Sequence, residues 1–277
     1  MSENSLKIYI DGDVSSKLSS DVKEKLEQFK KANPDAKVLV LGPTGEVGRE
    51  VVSLLLATGA FSRVTIAARK KLDPEYISEG GGKDSSPSSE SMRPVLEQVV
   101  PINYDDEKAV NDLFAGDGYD TVFCCLGTTR GISGKDGFYR VDHDYVMKAA
   151  EKAKAGGTRV FSLCSAANAN SDSMFFYAKV KGQVETELKG MGLPKVSIFQ
   201  PGFLECERDQ GRIGEKLVSF ALPLAKFFFP KSLAVSTRSV ARAMVYDSLL
   251  KRPETPVVNS YSNSAIIDIA NSFQKQV

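Results

Sequence analysis

Apolar residues follow two periods along this chain. Short continuous runs, rich in β-branched side chains, recur at Val38–Leu41, within Phe61–Arg69 (Val64, Ile66, Ala67), and at Glu97–Ile102, Asp120–Leu126 and Arg159–Leu163. Between them the spacing changes to that of a helix with one apolar face: Val47/Val51/Leu54/Leu55, Glu107–Phe114, Tyr139–Ala155, and the stripe Val180/Val184/Leu188. A run that stays apolar at successive positions is buried on both faces, and strands of that kind alternating with helices predict an α/β fold. The expected architecture is a doubly wound, mainly parallel sheet, a Rossmann fold, carrying a small C-terminal substrate or lid region.

The ends and interruptions of this pattern set the expected organisation. Residues 1–36 read as an N-terminal extension: Leu6/Ile8/Ile10 alternate as a short strand does, and Val22/Leu26/Phe29 define an amphipathic helix with Ser20 as its cap, ending before Pro34. This piece either packs on the domain or serves as a dimer arm. Residues 37–277 form the main domain. Within it, residues 78–94 are a low-complexity stretch of Gly, Ser and charge with almost nothing to bury, expected to be a mobile loop. Residues 205–236 are the expected lid; their apolar core, Leu217–Phe229, either covers substrate or lies in a membrane interface.

Composition narrows the function classes. In 277 residues, 36 Lys+Arg against 35 Asp+Glu leave a net charge of +1, so no global field recruits nucleic acid. No direct nucleic-acid contact is expected. The four cysteines form no CxxC pair and His143 is the sole histidine, which disfavours a zinc site or a disulfide framework; no metal is expected. Neither a signal peptide nor an apolar stretch long enough to span a bilayer is present, so the reading is a cytoplasmic protein.

The chemistry starts at Lys37–Gly48, where an apolar strand runs into glycines at 42, 45 and 48 and then into a helix. Backbone approaches a pyrophosphate closely only where no Cβ intrudes, and a helix N-terminus offers unpaired N–H groups to the phosphates. Gly42 makes the turn, Gly45 admits the pyrophosphate and Gly48 lets helix pack on strand. The second strand ends in Arg69 and Lys70, cations suited to the 2′-phosphate of NADP, although a basic strand end can also be plain surface charge. Leu126 and Gly127, at the end of the next buried strand, would flank the cofactor. Tyr177 and Lys181 stand one helical turn apart, an arrangement in which the ammonium lowers the tyrosine pKa toward that of a working general acid. Ser165, just past a strand, would bond the same substrate oxygen. Tyr104 and Lys108 share this spacing but lack the serine-bearing strand end, so the weight rests on the ordered set. His143 reads as solvated or capping, and Cys124/Cys125 as small buried strand residues.

This ordered set resembles the atypical branch of the short-chain dehydrogenase/reductase superfamily, and most closely the HIV Tat-interactive protein family. The likeness is carried by Leu41-Gly-Pro-Thr-Gly-Glu46, Phe61-Ser-Arg-Val-Thr65 with Arg69-Lys70, Phe123-Cys-Cys-Leu-Gly-Thr-Thr-Arg-Gly131, Arg140-Val-Asp-His-Asp-Tyr-Val146, Lys154-Ala-Gly-Gly157, Tyr177 with Val180-Lys-Gly182, and Gln200-Pro-Gly202. The resemblance implies that Thr44, Gly45, Glu46 and Val47 line the pyrophosphate, and that Arg69 and Lys70 hold the 2′-phosphate. It further implies that Tyr177 is the proton donor and that Lys181 serves both ribose and tyrosine. Pro201, Gly202 and Leu204 would flank the nicotinamide, and Arg212 would reach a phosphate. Ala166 and Gln200 depart from the related pattern of serine and arginine, and Asp142 stands near the place of a usual asparagine. Two functions follow from the resemblance: an NADPH-dependent reductase of an unknown carbonyl, or an NADPH-occupied regulatory protein whose partners are transport or transcription factors. The expected state is a monomer or homodimer, and the expected location is the cytoplasm together with the nucleus, with a peripheral place on an organelle membrane as the alternative.

Overall fold

The computed structural model describes residues 6–11, 14–77, 94–116, 118–205, 234–251 and 253–273. The expected loop at 78–94, apart from its last residue, lies outside these, as do Arg212, Leu217–Phe229 and most of the expected lid. In chain order the elements are β1 (Leu6–Asp11), α1 (Val14–Lys17), α2 (Ser20–Ala32), β2 (Lys37–Leu41), α3 (Glu46–Thr58), β3 (Arg63–Ala67), β4 (Leu72–Ile77) and β5 (Val95–Val99). Then come α4 (Glu107–Phe114), β6 (Thr121–Cys124), α5 (Arg130–Tyr139), a π-helical turn (Arg140–Asp144), α6 (Tyr145–Ala155), β7 (Val160–Cys164) and α7 (Phe176–Gly190). The chain continues with β8 (Lys195–Phe199), β9 (Phe203–Glu205), β10 (Ala234–Ser236), α8 (Thr237–Leu249), β11 (Val257–Tyr261) and α9 (Asn263–Phe273).

Seven strands form one sheet in the order β11-β8-β7-β6-β2-β3-β5, every neighbouring pair parallel. On either side of β2, Val38 pairs with Val64 and with Thr121. The path moves outward from β2 through β3 to β5, then returns to the other side of β2 at β6. The carboxyl ends of β2 and β6 therefore bound the crevice where such sheets receive ligands.

Alternate residues of the central strand feed two cores, as a pleat requires. Val38 and Val40 join Val22, Leu26 and Phe29 of α2, Val51 and Leu55 of α3, Met244 of α8 and Ile266 of α9. Leu39 and Leu41 face Val110 and Leu113 of α4, Ala150 of α6, and Val184 and Leu188 of α7. Each such side chain contributes roughly 1.5–3 kcal/mol on leaving water, which is what holds helices to both faces. The N-terminal piece is built into the first of these cores. Its helix cap is Ser19 rather than Ser20, accepting from the Val22 N–H, and Tyr246 Oη donates to Asp21 at 2.8 Å.

Several expected boundaries shift. The strand expected at 97–102 runs 95–99, and the one expected at 120–126 runs 121–124. The helix expected over 139–155 is α6 preceded by a π turn and by α5, which bends at Gly134. β4, with Pro74 between two acidic residues, gave no strand pattern; it pairs in parallel with β1 outside the main sheet, an edge setting in which proline is tolerated. Among the described residues no helix is long and apolar enough to cross a membrane, and no cluster of three metal-ligating side chains occurs.

Candidate cofactor and active site

The glycine turn lies at the crevice. Gly42 has φ +73°, and a Cβ there would stand 2.5 Å from the Cys125 carbonyl oxygen, so the loops after β2 and β6 meet backbone to backbone. A Cβ on Gly48 would stand 2.1 Å from the Gly42 carbonyl oxygen, which is how closely α3 seats on its own turn. Gly45 is the N-cap of α3 and brings no side-chain acceptor to the first N–H groups. Thr44 is half-buried and Val47 buried; Glu46, the first helical residue, pairs with Arg49 Nη2 at 3.0 Å. Across the crevice Leu126 is half-buried and Gly127 exposed, while Arg69 and Lys70 are exposed at the end of β3.

Helix α7 carries Tyr177 in its first turn and Lys181 one turn later. Tyr177 packs on Phe138, ring centroids 5.6 Å apart, and keeps 46% of its surface exposed. Lys181 is buried, and its Nζ lies 2.8 Å from Oδ1 of Asp142, which is only 2% exposed. The π turn holds Asp142 inward, and its Oδ2 accepts the Thr128 N–H at 2.8 Å, tying the loop after β6 to α7. π turns insert a residue into a helix and so redirect a side chain. Burial works against the charge of Lys181, but Asp142, aided by Tyr177, more than offsets it and raises the lysine above its ordinary range. Tyr177 differs from expectation. Burial of its hydroxyl pushes it up; Lys181 pulls it down, Asp142 and Cys164 push back, and the net shift is upward. The expected lowering by the lysine is present but outweighed.

Ser165 is the second correction. Its hydroxyl donates to Glu185 Oε1 at 2.6 Å rather than being left for a substrate oxygen. Glu185, 3% exposed and one turn beyond Lys181, also accepts from Gln200 Nε2 at 2.9 and 3.1 Å and from Lys189 at 3.5 Å. Three donors from two strand ends and one helix satisfy a buried carboxylate, as its low surroundings demand. The loops after β7 and β8 are laced together by Ser165 N–H to Phe199 O and Ala167 N–H to Pro201 O, each 2.8 Å. Pro201 is buried, Gly202 N–H donates to Asn263 Oδ1 at 2.7 Å, and Leu204 lies in β9, paired with β10.

Glu185 escaped the sequence reading, although Tyr177, Lys181 and Glu185 recur every four residues beside an apolar stripe and so share one helix flank. Tyr104 and Lys108 diverge: Tyr104 is buried before α4 while Lys108 pairs with Asp112. His143 is neither solvated nor a cap, because its two ring nitrogens lie 2.9 Å from Asp144 and from Glu187, joining the π turn to α7. Cys124 is fully buried, and burial pushes its thiol up to about 12; Cys164 is pushed up to about 11 by the same cause.

The sequence profile described as NAD(P)H-binding matches residues 42–248. Protein HTATIP2 of Rattus norvegicus is 37% identical over 243 residues, covering 88% of this chain and 92% of its own length. The chain belongs to the HIV Tat-interactive protein family of atypical short-chain dehydrogenases/reductases. Another relative, the protein fmp52, mitochondrial, of Emericella nidulans, is 28% identical and covers 67% of this chain and 74% of its own. A short chain dehydrogenase family protein from Francisella tularensis superposes with a TM-score of 0.58 at 14% identity, covering 83% of this chain and 98% of its own, and shows the shared fold.

A nicotinamide dinucleotide, the ligand of this NAD(P)H-binding family, fits the crevice on local grounds. Two glycines occupy positions where any Cβ would collide with backbone, and an uncapped helix N-terminus opens beside them. A 13-residue helix whose N-cap brings no side-chain acceptor is suited to a pyrophosphate. Tyr177 and Lys181 lie on α7, which follows the carboxyl end of β7 in the same sheet.

Proposed function

We propose that this protein is an NADPH-dependent reductase of a carbonyl substrate. The observation that carries the reading is the placement of Tyr177 and Lys181 on one face of α7, with Lys181 fixed by Asp142 beneath the Leu126–Gly127 loop. Thr44, Gly45, Glu46 and Val47 would hold the pyrophosphate, while exposed Arg69 and Lys70 favour the phosphorylated dinucleotide, since a guanidinium grips a phosphate through two parallel hydrogen bonds. Pro201, Gly202 and Leu204 would border the nicotinamide. Bound there, the reduced nicotinamide supplies a hydride to the carbonyl carbon.

Tyr177 gives its phenolic proton to the substrate oxygen as charge develops on it. Lys181 stays cationic and buried, orienting the ribose and the phenol together. Ser165, with its proton committed to Glu185, offers lone pairs to the site, so it receives a hydrogen bond from the product hydroxyl rather than giving one to the carbonyl.

The test is NADPH oxidation against a panel of aldehydes and ketones. Tyr177→Phe is expected to reduce turnover by about 10²–10⁴-fold while sparing NADPH affinity, and Arg69→Glu to weaken NADPH binding about tenfold or more with NADH binding little changed. Tight NADPH binding with no oxidation across the panel would overturn the reading in favour of a cofactor-occupied regulatory protein.

A further inference from the structure

Among the described residues seven large apolar or aromatic side chains are exposed, and five of them lie in the segments that leave the carboxyl ends of β6, β7 and β8, three neighbouring strands. Ile132 is in the first turn of α5, Met174 and Phe175 lead into α7, Tyr177 is in its first turn, and Phe203 opens β9. The other two, Val95 and Val258, lie on the two edge strands of the sheet. The three segments are tied to each other. Arg130 Cζ lies 5.9 Å from the ring centroid of Phe176, and Phe138 packs on Phe176 and Tyr177 at 5.9 and 5.6 Å, which joins α5 to the start of α7. Ala167 N–H donates to Pro201 O at 2.8 Å, which joins the loop ahead of α7 to the loop that leads into Phe203. Single exposed apolar residues need no explanation, but a group of them gathered at the reactive end of a sheet marks a surface that receives something.

The extent and place of this surface select its occupant. With roughly 200 Å² to a large side chain, exposed fractions of 38–99% in the five come to about 600 Å². A second protein chain needs about 800 Å² from each side for a stable interface, whereas a patch of about 600 Å² is the size that accompanies a ligand site. The ring of Tyr177, which gives its proton to the carbonyl oxygen in the reductase reading, is itself one of the five, so the apolar surface begins at the reacting group. Apart from the Tyr177 hydroxyl, the five offer no hydrogen bond. A sugar hydroxyl set against them would lose its water without replacement, while a methylene loses nothing and leaves water with a gain.

We propose that these side chains hold the hydrocarbon part of the substrate, so that the carbonyl reduced at Tyr177 belongs to an alkyl or arylalkyl aldehyde or ketone rather than to a polyhydroxylated one. The inference rests on the reductase reading and adds the substrate class to it. The reaction is unchanged: hydride from the reduced nicotinamide to the carbonyl carbon and the Tyr177 proton to its oxygen give the alcohol and the oxidised nicotinamide.

The test reads binding first, without turnover. Unreactive primary amides from butanamide to octanamide, titrated by calorimetry into the full chain saturated with NADPH, are expected to bind more tightly by up to about fourfold for each added methylene. Ile132→Ser and Met174→Ser change exposed side chains and should fold normally. In the double variant the dependence on chain length is expected to flatten, with octanamide weakened by about tenfold or more. Affinity that ignores chain length in the unaltered protein overturns the proposal, and so does unaltered octanamide binding in the folded double variant. Light scattering on the same samples covers the other occupant: a dimer that the double variant dissociates, with no chain-length dependence in either protein, assigns the surface to a second copy of the chain and overturns the proposal. In turnover, kcat/KM is expected to rise from propanal to octanal, and a preference for glyceraldehyde over propanal overturns the substrate class while leaving the reductase reading standing. Failure to oxidise NADPH with any of these carbonyls would remove the reductase reading, and the amide series would still report separately whether the surface binds hydrocarbon.

Discussion

Gly182 immediately follows Lys181 on α7, and the space at its Cα decides whether the helix can carry the site. An added Cβ would stand 2.1 Å from Ser171 N, 2.2 Å from Asn170 C and 2.5 Å from Asn170 N, all backbone atoms, where ordinary contact begins at 3.4 Å. In Gly182→Ala either the helix or the loop must therefore move by more than 1 Å. The loop is tethered, since Asn170 N–H donates to Ala178 O at 2.9 Å and Ser173 N–H to Asn170 O at 3.0 Å. Overpacking of this kind costs about 1–3 kcal/mol, and loss of the Asn170–Ala178 bond about 1 more. Against this, alanine is preferred to glycine inside a helix by about 1 kcal/mol. The clash wins, for a net loss of about 1–3 kcal/mol. Urea unfolding read as a change in midpoint at constant slope measures it, with Gly190→Ala as control. Nothing lies within 4 Å of a Cβ at Gly190, at the end of the same helix, so only propensity acts there and the variant should match or slightly exceed wild type. A displacement of Lys181 by ~1 Å should also cost about 10²-fold in turnover. A Gly182→Ala protein as stable as wild type would show that the loop yields freely, and the reasoning would fail.

Other outcomes follow from the buried polar groups. Asp247→Ala leaves Lys195 buried without its 3.0 Å partner and strands the Ser197 hydroxyl; about 3–5 kcal/mol should be lost in urea unfolding, much of it recovered when Lys195→Met is added. Glu185→Gln puts an amide N–H₂ among the donors from Ser165 and Gln200 and should cost about 1–3 kcal/mol, with Gln200→Glu in the same chain restoring part of it, a coupling that a double-mutant cycle resolves. For pH, the Cys124 thiol stands at about 12 folded against 9.0 unfolded. Its contribution is full below pH ~9 and disappears as pH rises toward ~12, worth up to about 4 kcal/mol, so unfolding free energy should fall over that window and fall less steeply in Cys124→Ala.

Much of this protein is written locally. The apolar run at Val38–Leu41 places a central strand because only a doubly covered strand stays apolar at every position, and Val64, Ile66 and Ala67 mark the strand beside it. Gly42 and Gly48 mark the turn because backbone contact there excludes a Cβ, and Tyr177 and Lys181 share a face because four residues make a turn. β4 was illegible for the opposite reason: Asp73, Pro74 and Glu75 carry no strand period, and the strand exists because β1, more than sixty positions earlier, lies beside it. The helix ahead of the site was equally hidden, since Gly131, Gly134 and Gly137 dilute its pattern and the π turn breaks its period.

What only the tertiary structure decided is the pairing of the polar groups at the crevice. Asp142 stands 39 positions before Lys181, Ser165 20 before Glu185, and Gln200 reaches back 15 to the same carboxylate. Periodicity states which side of a helix is buried, because burial is a property of a face. It is silent on which partner a buried polar atom finds there, because that depends on where a second strand end or a π turn delivers its side chain. In this protein those deliveries place a carboxylate against Lys181 and another against Ser165.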